Sequence, residues 1–199
     1  MKTALVVRGG WPGHAPVEAS DRYAGELAAR GYAVTTSDSL DSYLDVDLLA
    51  RTDLIVQCWA MGSISAAQVE GLTAAVRAGT GFAGWHGGIV DAFREETRYQ
   101  LMTGGQFVYH PAEFVEYAVH AGGSSFTVHT EQYYVHVDPA VEVLATTEFV
   151  EDGTTLPVTW TRNWGEGRVF VTTIGHKLDD FDVPEVDRMI IEGLTWASR

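Results

Sequence analysis

The feature that most constrains this chain is an alternation in its first half, where short apolar runs are separated by helix-length amphipathic stretches. Residues 3–7 are apolar and stop at Arg8, Gly9 and Gly10. Such a run followed by glycines reads as a buried strand entering a loop. Pro16 suits the first turn of a helix running to Arg30, with Val17, Tyr23, Ala24, Leu27 and Ala28 facing inward and Gly31 as its stop. Residues 32–37 form a second strand, 43–50 a short helical turn, and 54–59 a third strand apolar enough to lie centrally in a parallel sheet. Ser65 and Gln68 make a capping box, Val69, Leu72 and Val76 recur at helical spacing, and Gly79 closes that helix. Residues 81–86 form a fourth strand, ending in His86-Gly87-Gly88. This order predicts an α/β fold with a doubly wound, mostly parallel, flavodoxin-like sheet.

The second half departs from that rhythm. Residues 113–120, 126–129 and 141–147 are strand-like, with no long helix between them. Residues 157–162 and 168–174 are expected to add a C-terminal β-hairpin around the turn Asn163-Trp164-Gly165-Glu166-Gly167. A last helix starts near Pro184 and carries Val186, Met189, Ile190 and Leu194 inward. No repeat, low-complexity tract or linker interrupts the chain, so residues 1–199 are expected to form a single domain.

Acidic residues outnumber basic ones 27 to 13, for a formal net charge of -14. That balance argues against nucleic acid or an anionic membrane as a standing partner. Cys58 is the only cysteine, so no intramolecular disulfide can form, which fits a reducing, cytoplasmic setting. The N-terminal apolar run is too short for a signal-peptide core, and no run approaches the roughly 18 residues of a membrane span. Exposed tryptophans would offer a surface for a homo-oligomer, but the sequence does not say which are exposed.

In open α/β sheets ligands bind outside the carboxyl ends of the strands. That rule gathers Arg8, Trp11 and His14 after the first strand, Gln57, Cys58 and Trp59 at the third, Trp85 and His86 at the fourth, and His176 after the late hairpin. Each histidine alone is accounted for by a structural hydrogen bond. Three at separate strand ends point to a site. Tryptophans at a polar cleft suit the apolar faces of sugar rings, or they simply pack under loops. Glu131 offers a general base or a hard ligand, and imidazoles with a carboxylate form an ordinary set for zinc or another divalent ion. No His-x-x-x-His spacing occurs, so a metal site must be assembled from distant loops. A nucleophile elbow would be centred on His86 in Gly84-Trp85-His86-Gly87-Gly88, whereas Cys58 ends the preceding strand, where a buried inert thiol is expected. No G-x-G-x-x-G follows the first strand, and no Walker A pattern is present.

Several segments together resemble the ThuA-like, trehalose-utilisation family. They are Gly84-Trp85-His86-Gly87-Gly88, Phe93-Arg94, Tyr99, Gly104-Gly105-Gln106-Phe107 through His110-Pro111, Thr130-Glu131-Gln132-Tyr133-Tyr134, Pro157 to Arg162, Gly165 to Phe170, and Gly175-His176. The resemblance implies a class I glutamine-amidotransferase-like fold without its thiol nucleophile. It also implies a part in pathways that oxidise a sugar to a 3-keto form and then convert it. His14, His86, Glu131 and His176 match the family's site positions. One departure is Ala15, which stands where some relatives place a carboxylate after the first-loop histidine.

The expected function is therefore carbohydrate processing. His86, Glu131 and His176 are the catalytic candidates, and His14, His86 and His176 are the metal candidates. Arg8, Trp11, Gln57, Trp59, Trp85, His110 and Tyr133 are the substrate contacts, with a small carbohydrate as the partner. The competing expectation is a non-catalytic sugar-binding or regulatory module. Thiol-dependent hydrolysis is a weaker third.

Overall fold

The computed structural model describes all residues, Met1–Arg199. Strand β1 (Thr3–Gly10) leads through a single 3-10 turn into α1 (Pro16–Ala29), then β2 (Ala33–Ser37), a 3-10 turn (Leu40–Leu44), α2 (Val46–Arg51) and β3 (Leu54–Ala60). α3 (Ala66–Arg77) and β4 (Gly81–Trp85) complete the alternating half. The capping box at Ser65 and Gln68 is present at the start of α3.

β1 shows why the sheet carries helices on both faces. Its side chains alternate at period two, with Ala4 and Val6 in one core and Leu5 and Val7 in the other. The first core takes Tyr23 and Leu27 of α1 together with Val186, Ile190 and Leu194 of the last helix, α5 (Pro184–Ala197). The second takes Val69, Leu72 and Val76 of α3. On α1 the buried face is Ala19, Ser20, Tyr23 and Leu27, while Val17 and Ala28 face solvent, contrary to expectation. The burial stripe sits one side round from the one drawn through Val17.

The second half builds α4 (Thr97–Thr103), β5 (Gly105–Tyr109), β6 (Val115–Ala121), β7 (Ser124–Thr130), β8 (Tyr134–Val137), β9 (Glu142–Glu148), β10 (Thr155–Trp164) and β11 (Gly167–Thr172). Nine strands form one sheet in the order β2-β1-β3-β4-β11-β10-β9-β6-β7, and β5 pairs with β8 separately. Strands β2, β1, β3, β4 and β11 are mutually parallel, and β11, β10, β9, β6 and β7 run antiparallel to their neighbours. The sheet is thus mixed, not mostly parallel. Nor is the hairpin an addition at the rim. β11 pairs in parallel with β4, so β10 and β11 sit in the middle of the sheet and join its two halves. The Val-Phe-Val run of β11 explains this, since Val169 and Val171 enter one core and Phe170 the other, as a central strand requires.

A buried polar network ties β3 to the turn after β4. The Tyr43 hydroxyl donates to Gln57 Oε1 (2.9 Å), Gln57 Nε2 donates to the Gly88 carbonyl (3.1 Å), and the Tyr99 hydroxyl donates to the Ile89 carbonyl (2.9 Å). Gln57 has no solvent exposure. Gln57→Ala would strand a buried hydroxyl and a buried carbonyl, each costing about 1–3 kcal/mol. Urea unfolding should show a loss of roughly 3 kcal/mol with an unchanged m-value; a loss below about 1 kcal/mol would contradict this assignment.

Candidate functional site

The order β2-β1-β3-β4-β11 places a crossover reversal between β1 and β3, and ligand crevices open at the carboxyl side of such a point. The loop after β1 is pinned there, because Trp11 N–H donates to the Ala60 carbonyl at the end of β3 (3.1 Å). Pro12–His14 make one 3-10 turn, and Ala15 takes a left-handed conformation (φ 44) before α1 begins. His14 is buried at the base of this loop.

β4 ends at Trp85, and His86 opens a single 3-10 turn with φ +45. A side-chain-bearing residue holds such a φ only when its surroundings enforce it. The glycines that follow allow the tight passage. A Cβ on Gly88 would stand 2.9 Å from Cys58 Cα, and one on Gly87 would stand 2.2 Å from His14 Cε1. Glu131 follows β7, and His176 follows Gly175 at the end of the β11 segment. Four segments distant in sequence therefore deliver four side chains. One ligand atom from each of His14, His86, Glu131 and His176 lies within 4.8 Å of the others.

The hydrogen bonds fix the chemistry of this cluster. His86 Nδ1 lies 2.7 Å from the Thr173 carbonyl. A carbonyl only accepts, so Nδ1 carries the proton and Nε2 of the neutral ring presents a lone pair. That Nε2 faces Glu131 Oε2 at 3.1 Å and His176 Nδ1 at 3.2 Å. His176 Nδ1 is also 3.1 Å from the same carboxylate oxygen. An imidazole lone pair and a carboxylate oxygen repel at that range unless a donor such as His176 Nδ1–H, or a metal ion, bridges them. His14 adds two buried ring nitrogens with no hydrogen-bond partner. Burial, with His86 and His176 close by, pushes the His14 imidazolium pKa down to about 3, so the ring is neutral and one of its nitrogens offers a lone pair. Burial alone would raise the Glu131 pKa, but the hydrogen bond from His176 and the charge of the nearby imidazoles outweigh it and hold the carboxyl below the usual range.

Around the cluster, Tyr133 stacks on His86 (4.1 Å between centroids, 26° between planes), and Trp11 meets His14 edge-on (4.7 Å, 89°). His110 Nδ1 lies 2.6 Å from the Pro111 carbonyl and 3.3 Å from Glu131 Oε1. The structure thus brings together His14, His86, Glu131, His176, His110, Tyr133 and Trp11. It employs four other expected contacts elsewhere. Gln57 is spent in the buried network, and Trp85 is 1% exposed and packed on Tyr23 and Phe181. Neither can reach a ligand, which corrects the expectation for both. Arg8 pairs with Asp38 (2.7 Å) and Asp21, and Trp59 lies across Gly9. Residues not expected from the sequence also take part. They are Thr173, through a backbone carbonyl, and Phe114, whose ring is 5.0 Å from His176. A backbone acceptor leaves no signature in residue type. For Phe114 the only signal was an aromatic side chain close to His110 in a polar loop.

The family model for ThuA, trehalose utilisation, matches residues 3–197. No curated protein sequence matches. Among solved structures, a ThuA-like protein from Parabacteroides merdae superposes with TM-score 0.81 at 14% identity, over 98% of this chain and 89% of that one. One from Bacteroides uniformis gives 0.77 at 14% identity, with the same coverage. A GH42 β-galactosidase from G. stearothermophilus gives 0.65 at 15% identity, over 98% of this chain but 30% of its own. At such identities these three likenesses are of fold. No helix is long and apolar enough to cross a membrane.

Cys58 is 2% exposed, and burial pushes its thiol up to about 12. A raised thiol pKa leaves the unreactive protonated form dominant until the pH approaches that value. At pH 8 the native protein should react with Ellman's reagent at less than about a tenth of its rate in denaturant. Rapid native labelling would show an accessible thiolate and revive thiol chemistry.

Proposed function

The chain belongs to the ThuA trehalose-utilisation family, and on that premise we propose that it is an enzyme acting on a carbohydrate, with His14, His86, Glu131 and His176 as its working centre. One observation carries the reading: three imidazoles and a carboxylate converge within 4.8 Å from four separate segments. A divalent ion fits them. The His14 nitrogens are buried without partners, and the His86 lone pair is aimed at a carboxylate oxygen. His14, His86 Nε2, His176 and Glu131 would hold the ion, with the Thr173 carbonyl orienting His86 as outer-sphere acceptors do. Zinc suits that donor set, and when bound it would act as a Lewis acid toward a sugar oxygen.

The protein's own groups divide the remaining work. Glu131 Oε2 is taken up by His86 and His176, while Oε1 turns toward His110. Oε1 is thus the proton acceptor for a substrate carbon or hydroxyl. Its depressed pKa keeps it ionised at neutral pH and makes it a weak base. Such a base removes a carbon-bound proton only where a neighbouring carbonyl acidifies it, as in a 3-keto-glycoside. His110 and Tyr133 are placed to bond sugar hydroxyls. A small carbohydrate partner and a cytoplasmic location belong to the same reading. Glutamine amidotransfer does not, because the elbow position holds His86 and Cys58 is buried.

Glu131→Gln tests the proposal. On a confirmed substrate kcat should fall by about 10²–10⁴-fold with KM little changed, and full turnover would refute the reading. Elemental analysis of protein purified without chelator or tag metal should find one divalent ion per chain, lost in His86→Ala. Absence of metal in the wild type would remove the Lewis acid and leave the His/Glu chemistry.

A further inference from the structure

Four aromatic side chains stand exposed on this molecule: Trp11 at 43%, Tyr109 at 47%, Phe114 at 43% and Trp196 at 39%. Apolar side chains exposed singly are ordinary, but their clustering is informative. Two of the four, Trp11 and Phe114, stand against the His/Glu cluster, and a third lies beside His110. Trp11 lies edge-on to His14 and approaches His176 at 6.4 Å, with 54° between planes. Phe114 meets His176 at 5.0 Å and 68°. Tyr109 lies parallel to His110 within 22°, at 6.5 Å. Trp11 and Phe114 therefore approach one imidazole, from the β1 loop and the β5–β6 loop respectively.

Both rings are held in place. Trp11 is seated on the backbone of Gly13, where an added Cβ would stand 2.2 Å from the indole. Phe114 carries the Lys177 ammonium 5.6 Å from its ring centroid, and Lys177 is itself 3.5 Å from Asp180. The rim thus offers aromatic faces beside cationic and imidazole donors. Only an occupant with an apolar face and a polar edge satisfies both, and a pyranose ring has that form.

The geometry points to Phe114, acting with Trp11, as a specificity-determining subsite that stacks on the sugar ring lying outside the His/Glu cluster. This rests on the carbohydrate reading above and adds to it a residue and a preference. The ring held by the rim is the one that does not react, so the rim selects glycosides carrying a second ring over single-ring sugars. Lys177 and His110 meet that ring's hydroxyls.

Calorimetric titration of the full-length protein tests this, with trehalose and cellobiose as two-ring probes and methyl α-glucoside as the single-ring probe. The wild type should bind at least one two-ring probe more tightly than the glucoside. Phe114→Ala and Trp11→Ala should each weaken two-ring binding roughly 3–10-fold more than they weaken glucoside binding. Phe114→Tyr, which keeps the ring, should restore it. Trp196→Ala, at the remaining exposed aromatic, should match the wild type. Unchanged two-ring affinity in both alanine variants, while sugars bind, overturns the subsite and leaves the carbohydrate reading standing. Failure of both two-ring probes to bind the wild type overturns the subsite, whereas the carbohydrate reading stands or falls with the Glu131→Gln turnover test.

Discussion

The hydrogen bond from His86 Nδ1 to the Thr173 carbonyl decides how the site works. It fixes the tautomer, and through the tautomer it turns a lone pair toward Glu131. Two acceptors then face each other in a buried pocket that already contains the unpaired nitrogens of His14. A proton shared from His176 Nδ1, which lies 3.2 Å from one and 3.1 Å from the other, or a bound cation relieves their repulsion. The strained φ of His86 and the cramped glycines beside it serve that placement.

The mixed sheet is what lets these groups meet. Its parallel half delivers His14 and His86 from strand ends, as an open α/β sheet does. Glu131 comes from the far antiparallel edge, at the end of β7. A buried carboxylate closes the distance. Asp180 accepts from the Thr130 hydroxyl (2.7 Å) and from Lys177 N–H (3.2 Å), the immediate neighbours of Glu131 and His176. One bracket thus holds both residues in register. The β10–β11 hairpin, central in the sheet, carries the chain from the antiparallel half back to β4 and so to Thr173.

The scaffold also explains the silence of Cys58. At the nucleophile position of an elbow, a thiol would be exposed beside small residues. Here that position holds an imidazole, and Cys58 lies under Gly88 with its backbone in near contact. The same turn geometry that would present a nucleophile instead presents the His86 imidazole.

The sequence by itself determined the alternating half, because β1, β3, β4, α1 and α3 are written in local periodicity, a capping box and glycine stops. It also put His14, His86 and His176 at strand ends, because topology makes strand ends the place for ligands. Residue type alone left open which polar groups turn outward. Gln57 and Trp85 sit at strand ends like the histidines, yet packing against Tyr43, Tyr99, Tyr23 and Phe181 claims them for the core. Only the tertiary structure decided that the hairpin lies inside the sheet. Strand order depends on contacts between residues far apart in the chain, and an apolar run reads the same at the rim and at the centre. It alone decided that Phe114 and the Thr173 carbonyl stand beside His176 and His86. A loop aromatic and a backbone oxygen acquire meaning only from what is folded next to them.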